Sequence, residues 1–263
     1  MIISIYFIEF FLFSIIGWIF ECIYCTCKEH HWQNRGFLFG PVCPIYGSGA
    51  VMASIVFHHI GIIARLPVWQ LFLVCALCSA VLEYGTSFAL EKLFHAMWWD
   101  YRDMPLNLNG RICLPATILF GIAGVFIIRR LLPAAALYEK SIPPLAAEAA
   151  ALVMMALISA DTAITTVSLT SLLEKLEQLE NDFNTAAESA YQRVETAPQA
   201  LQAQIQEKNA AMRLQLQERA QNLSYRQKYI LSNIRRFPSE SRAAAAARMK
   251  KALETLSRRK PES

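Results

Sequence analysis

IISIYFIEFFLFSIIGWIFECIY, residues 2–24, carries two charged side chains, Glu9 and Glu21, in an otherwise apolar run. About 20 such residues take a helix across the hydrocarbon core of a bilayer. A helix lying on a soluble core would show a polar face every 3.6 residues, and this run does not. It is therefore read as a membrane helix. No basic segment precedes it and no small-x-small cleavage pattern follows through Cys27, so it is expected to be retained and not removed as a signal peptide.

Three further stretches have the same character: about 45–63, 68–90 and 112–132. A fifth, about 149–170, is less apolar because Asp161 falls near its centre. Pro133, Pro143 and Pro144 bracket the connection between the fourth and fifth runs, as befits a short link between helix ends. Beyond Thr170 the pattern changes. Leu172, Leu176, Leu179, Phe183, Ala186 and Ala190 recur at steps of four and three with charges between them, a coiled-coil seam. Pro198 interrupts it, and Leu201, Ile205, Met212, Leu216, Leu223 and Ile230 form a second run that would fold back as an antiparallel hairpin and end at Pro238. The stretch from Ser239 to Arg259 reads as a basic helix carrying Arg242, Arg248, Lys250, Lys251, Arg258 and Arg259, either solvated or laid on anionic lipid headgroups.

The expected fold is thus all-α and polytopic, with about five transmembrane helices and a soluble helical coiled-coil tail. Residues 1–142 hold four membrane helices and motif-bearing loops, 143–170 the fifth helix, and 171–263 a cytosolic tail.

Composition supports this division. The chain of 263 residues has 55% apolar residues and a net charge of +4, which exclude a disordered chain, a collagen-like repeat and a strongly basic nucleic-acid binder. All ten glycines and all five tryptophans lie at or before Gly124. Residues 1–170 hold nine Lys or Arg against ten Asp or Glu, whereas residues 171–263 hold sixteen against eleven. Seven cysteines, an odd number set mostly in apolar runs, imply no disulfide framework.

A carboxylate near the centre of a membrane helix costs about 2.5–3.5 kcal/mol on insertion scales, so Glu9, Glu21, Glu83, Glu91 and Asp161 are functional candidates. Glu9 and Glu83 fall roughly 6 Å from the middles of their runs, while Glu21 and Glu91 approach a membrane surface. With five spans, the C-terminal ends of the first and third helices, the first and third loops and the tail share one side. That side collects Glu21, Asn34, Arg35, Glu83, Ser87, Glu91, Asp100, Asn109 and Arg111. Glu83, Ser87 and Glu91 follow one helix face at i, i+4 and i+8. Arg35 and Arg111 are the cations placed to pair with these carboxylates. The cluster is either a structural ion-pair network or one that also lines a substrate or coupling site.

Two loops stand out. Residues 34–47, NRGFLFGPVCPIYG, set glycine and proline beside large aromatics, giving either an interfacial turn with aromatic anchors or a segment packed tightly at membrane depth. Trp98-Trp99-Asp100-Tyr101, followed by Asn109-Gly110-Arg111-Ile112-Cys113-Leu114, is an aromatic belt with an acid inside it.

These blocks, together with Gly17-Trp18, Glu21, Glu83-Tyr84, Ser87 and Glu91, resemble a bacterial family, the ABC-transporter type IV or CmpB-like permeases, over about the first 135 residues. The chain departs from the family pattern at Arg102, where a small polar residue is favoured, and at Phe120, where Trp is. The resemblance implies a permease component at the bacterial plasma membrane, served by a separate nucleotide-binding subunit. The chain itself has no Walker A sequence, and its glycine-free tail offers no phosphate loop. It also lacks Gly-x-Ser-x-Gly, HExxH and Rossmann signatures, so no cofactor is expected. Cys22, Cys25, His30 and His31 have ligand-like spacing, as do Cys75 and Cys78, but cysteines in apolar helices usually serve packing, and no metal is expected.

Two other functions compete. In one, Glu83 or Asp100 is the acid or base of a membrane hydrolase or transferase whose lipid-linked anionic substrate is held by Arg35 and Arg111. In the other, the chain is a scaffold acting through its tail, which also offers a route to homo-oligomers. Orientation follows the positive-inside rule. Lys28, Arg35, Lys92, Arg102 and Arg111 lie on the proposed inner side, against Arg65, Arg129, Arg130 and Lys140 outside. The basic tail tips the balance to an external N-terminus and a cytosolic tail.

Overall fold

The structure, a computed structural model, describes residues 2–30, 32, 34–59, 65–139, 141–194 and 201–258. It contains α1 Ile2–Glu29, α2 Pro44–His59, α3 Val68–Phe94, α4 Leu114–Phe126, a π-helical turn Ile127–Leu131, α5 Leu132–Glu139, α6 Pro144–Val194, α7 Leu201–Gln221, α8 Tyr225–Asn233 and α9 Glu240–Arg258. No strand forms among the described residues. The chain divides into two compact units, Met1–Leu93 with Trp98–Thr165, and Phe94–Met97 with Thr166–Ser263. His31, residues 60–63 of the second apolar run, Lys140, Pro198 and Arg259 lie outside the described residues, as do the side chains of Lys28, His59, Ala190, Leu201, Ile205 and Arg258.

Four helical segments are long and apolar enough to cross a membrane: Ile2–Cys27, Val68–Phe94, Leu114–Leu137 and Pro144–Ala186. Their outer faces are apolar as well, with Val81 74% and Leu77 67% exposed. Helices hydrophobic all round, yet not buried in protein, belong in lipid. The first unit is that of a multi-pass membrane protein.

The second expected run is described as helix from Pro44 to His59, its remaining residues 60–63 lying outside the described ones. Over its described residues α2 has 16 residues. It lies antiparallel against α1: Ser54 Oγ donates to Glu9 Oε1 at 3.1 Å, and the rings of Tyr6 and His58 meet edge-on at 6.4 Å. The approach depends on Gly47, where a Cβ would come within 2.2 Å of the Phe10 carbonyl oxygen and Ser14 Oγ. Before Pro44, whose missing N–H suits the first helical position, the chain is a loop packed along α1. Cys43 N–H donates to the Ser14 carbonyl at 3.0 Å, and Leu38, Val42 and Cys43 are buried. Segment 34–47 is thus packed into the protein, as irregular backbone at that depth must be.

The fourth run does not stop at Pro133. Proline has no N–H for the carbonyl four residues back, and just before it the helix widens into the π turn, with Leu132 N–H bonded to the Ile127 carbonyl. The helix then continues to Glu139. Leu71, Ile128 and Leu132 form a buried core here with Phe13, Phe57 and Leu66 against it.

The fifth span and the start of the tail are one helix, the 51-residue α6. Asp161 follows Pro144 by 17 residues, about 26 Å along this helix.

In the second unit Leu172, Leu176 and Leu179 of the expected seam are buried, as is Leu169 before it. Their setting is a small bundle and not a two-stranded hairpin. The run expected from Leu201 to Ile230 breaks into α7 and α8, because Ser224 and Gln227 form a reciprocal capping box that starts a new helix. Helix α9 buries Ala245, Ala246, Met249 and Ala252. Three of its basic residues face protein: Arg242 lies 3.7 Å from Glu177, the Arg248 guanidinium 3.8 Å from the Phe183 ring, and Lys250 Nζ donates to the Ile234 carbonyl at 3.0 Å. Met97 joins this unit by backbone bonds with Arg235 and Arg236.

Candidate functional site

The polar residues gather in the first unit, where the C-terminal ends of α1 and α3 meet the loops that precede α2 and α4. The loop before α4 is built on Asn109 and Gly110, whose φ values of +56° and +71° form a tight turn closed by Arg111 N–H donating to the Leu108 carbonyl at 3.0 Å. Asn-Gly is the pair that best tolerates two left-handed residues in succession. The turn sends Arg111 back to α3. There it pairs with Glu91, donates to Ser87 Oγ at 3.4 Å, and lies 5.5 and 5.6 Å from the rings of Tyr84 and Phe88. Trp99 Nε1 caps the Arg111 carbonyl at 2.9 Å, and Asn109 Nδ2 donates to Tyr84 Oη at 3.1 Å.

Asp100 is not part of that group. It binds Arg102, with Nε 2.8 Å from Oδ2, and accepts the Arg102 N–H at 3.2 Å. The departure at Arg102 thus supplies the partner for Asp100.

Glu83, two turns before Glu91 on the same face, takes a different partner. Its Oε1 accepts the Tyr101 hydroxyl at 2.9 Å, whereas Oε2 is buried with no hydrogen-bond partner in the structure. Burial, and next the Glu83 carboxylate, push the Tyr101 phenol well above its ordinary value, so Tyr101 acts as a donor. Glu83 is 4% exposed and borders a cavity of about 210 Å³ between α2, α3, α4 and the π turn.

Glu21 accepts the Tyr46 hydroxyl at 2.5 Å, and Tyr46 lines the same cavity. Asn34 Oδ1 accepts Trp18 Nε1 at 2.8 Å. Arg35 lies on the two cysteines of the first motif, with its backbone N–H 3.4 Å from Cys22 Sγ and its Nε 3.2 Å from Cys25 Sγ. Asp161, left out of the predicted cluster, accepts the backbone N–H groups of Phe39 and Gly40 at 3.2 and 2.8 Å.

The structure therefore separates the nine predicted residues. Ser87, Glu91, Asn109 and Arg111 form one group; Glu83 stands by the cavity; Glu21, Asn34 and Arg35 belong to the α1 side; and Asp100 pairs locally. Sequence reasoning missed Tyr46, Tyr101 and Trp18 as partners, and named Asp161 as a candidate without placing it. The signal for the two tyrosines is that each stands inside a motif-bearing loop, Tyr46 donating to Glu21 and Tyr101 to Glu83. Among the described residues no group of three or more His, Cys, Asp or Glu is placed to hold a metal ion.

No curated protein and no solved structure matches the chain. One family does, over residues 8–166, a stretch that runs from α1 to just past Asp161 and contains every group above. Beyond the first 135 residues, it takes in the anchor from α6 to the loop before α2. With this match the chain belongs to the family described as "Putative ABC-transporter type IV".

Proposed function

We propose that the protein is the membrane-embedded component of an ABC-type transporter of the bacterial plasma membrane, with its ATPase on another chain. The cavity beside Glu83 holds the transported species. The single observation that carries this is the buried Glu83 carboxylate on a cavity within a unit of membrane-type helices. Intramembrane ionisable groups mark substrate and ion pathways by default, and few polar groups on an apolar wall are the usual form of a ligand site. We read α2 as a fifth passage, since it follows α1 from Gly47 beside Phe10 to His58 beside Tyr6. Five passages set the N-terminus outside and the tail in the cytosol, where it is free to meet the ATPase chain, anionic lipid or a second copy. Gentle purification from native membranes should recover a nucleotide-binding subunit; repeated recovery of this chain alone would overturn the reading. A Ser257→Cys variant in a background with Cys27 and Cys78 replaced by Ser tests the sidedness: labelling by an impermeant maleimide on intact cells would place the tail outside.

The enzymic reading has less support, because the cations it assigns to a substrate headgroup are engaged: Arg111 with Glu91 and Ser87, Arg35 with Cys25. The scaffold reading differs in its genetics. There, deletion of residues 171–263 abolishes the phenotype and Glu83→Gln does not; the transporter reading requires both to impair it.

A further inference from the structure

The cavity beside Glu83 has a definite chemical character. At about 210 Å³ it exceeds a cavity of about 150 Å³ that accepts benzene. Its space comes from small residues on three elements, among them Gly49 and Ala53 on α2 and Ala123 and Gly124 on α4. Among the described residues no lysine, arginine or histidine lines it, the polar groups on its wall are few, and Glu83 is the one carboxylate.

That carboxylate is only half satisfied. Tyr101 takes one oxygen and the other has no partner. A buried anion without a counter-charge is strongly disfavoured, and the arginines of the loop before α4 are committed: Arg111 to Glu91, Arg102 to Asp100. On the same wall the rings of Tyr46 and Phe120 meet edge-on, with centroids 5.8 Å apart at 67°. Aromatic faces beside a carboxylate attract organic cations, above all quaternary ammonium groups. The rim includes Met52 and Val74, which are exposed at the outer face of the helices, so the opening is itself apolar.

We propose that this cavity binds a monovalent lipophilic organic cation, an amine or quaternary ammonium bearing an apolar group, with Glu83 as its counter-charge. An anion would meet Glu83 with no cation to offset it. A sugar would find too few donors and acceptors, and a divalent metal needs several oxygen ligands. The inference rests on the transporter reading only in taking the ligand to be the cargo. Binding can be measured on this chain alone, so failure here and failure to recover an ATPase subunit are separate results.

The test uses the full chain in lipid nanodiscs, with benzyltrimethylammonium and its neutral isostere neopentylbenzene as probes. The cation should bind saturably and at least tenfold more tightly than the isostere. Glu83→Gln should abolish this preference while leaving neopentylbenzene binding unchanged, which also reports that the cavity is intact. Equal binding of the two probes to the unaltered chain, or a preference that survives Glu83→Gln, would overturn the proposal. A second measurement needs no variant. Benzyltrimethylammonium should protect Glu83, and not Glu91, from a hydrophobic carbodiimide as read by peptide mass spectrometry; identical modification of Glu83 with and without the cation would also overturn it.

Discussion

Asp161 Oδ2 accepts the backbone N–H of Gly40 at 2.8 Å, joining α6 to the loop before α2 across 121 residues of sequence. A second bond from Phe39 N–H to Oδ1 makes the carboxylate a clamp on two successive peptide units. That loop lies against α1, and backbone groups in such a place must find partners. Asp161→Ala removes both acceptors. Each N–H left unpaired costs about 1–3 kcal/mol, so the loop should open locally. Cys43, now 7% exposed, should then be alkylated several-fold faster in membranes, as resolved by peptide mass spectrometry. Asp161→Asn keeps one oxygen acceptor and should fall between.

The contact of α1 with α2 depends on an absent side chain at Gly47. An added methyl group would meet the Phe10 carbonyl oxygen and Ser14 Oγ at 2.2 Å, and the former is helix backbone that cannot swing aside. Gly47→Ala should therefore separate the two helices and destabilise the unit by about 1–3 kcal/mol, the range for overpacked cores. A lower unfolding midpoint in detergent, compared with Gly85→Ala, is the measure. Gly85 has nothing within 4 Å of its Cβ position, so that control should unfold like the unaltered chain.

Which of these features can be read from the sequence follows from whether they are local. The apolar runs and the ladder of Glu83, Ser87 and Glu91 depend on helix periodicity alone, and so do the buried seam leucines of the tail. The pairing of Arg111 with Glu91 in preference to Glu83 depends on a loop whose direction is set by two left-handed residues, Asn109 and Gly110. Asp161 reads as a blemish in an apolar run until its partners are known, and these, the N–H groups of Phe39 and Gly40, lie far away in sequence. The packing of the 36–43 loop along α1 is likewise a tertiary effect, since the bond from Cys43 N–H to the Ser14 carbonyl joins residues far apart in sequence.

Arg111 and Glu91 are partly buried, with side chains 11% and 23% exposed. Removing one member of a buried pair strands the other charge and costs about 3–5 kcal/mol, while replacing both is much less harmful. Glu91→Gln and Arg111→Met should each lower stability by about 3 kcal/mol, the low end because Glu91 keeps some contact with its surroundings. The double variant should be destabilised by at least about 1 kcal/mol less than the sum. Additive losses in a chemical unfolding series would show that the ion pair contributes nothing of its own.

In the second unit the break between α7 and α8 rests on Ser224, whose Oγ accepts the Gln227 N–H at 3.2 Å while Gln227 Oε1 accepts the Ser224 N–H at 3.1 Å. Gln227 also accepts from Lys175 and donates to Ser171, so the cap is tied to α6. Ser224→Ala should cost about 1 kcal/mol and speed proteolytic cleavage between α7 and α8. Unchanged cleavage there would mean that the Lys175 and Ser171 contacts hold Gln227 without the cap.

Tyr101 gives the fold a dependence on alkaline pH. In the unfolded chain its phenol ionises near pH 10; in the folded protein burial, reinforced by the Glu83 carboxylate, raises it well above that. Below about pH 10 both states hold the proton and the full contribution is present. Above it the unfolded state alone releases the proton, and stability falls by about 1.4 kcal/mol per pH unit until the folded phenol also ionises. Tyr101→Phe removes this term. It also takes the donor from Glu83 Oε1, which should lower stability at neutral pH by about 1–3 kcal/mol. Unfolding midpoints recorded from about pH 8 to about pH 11 should therefore converge, the unaltered protein starting higher and descending more steeply than the variant. Parallel curves would mean that Tyr101 ionises as freely in the folded protein as in the unfolded chain.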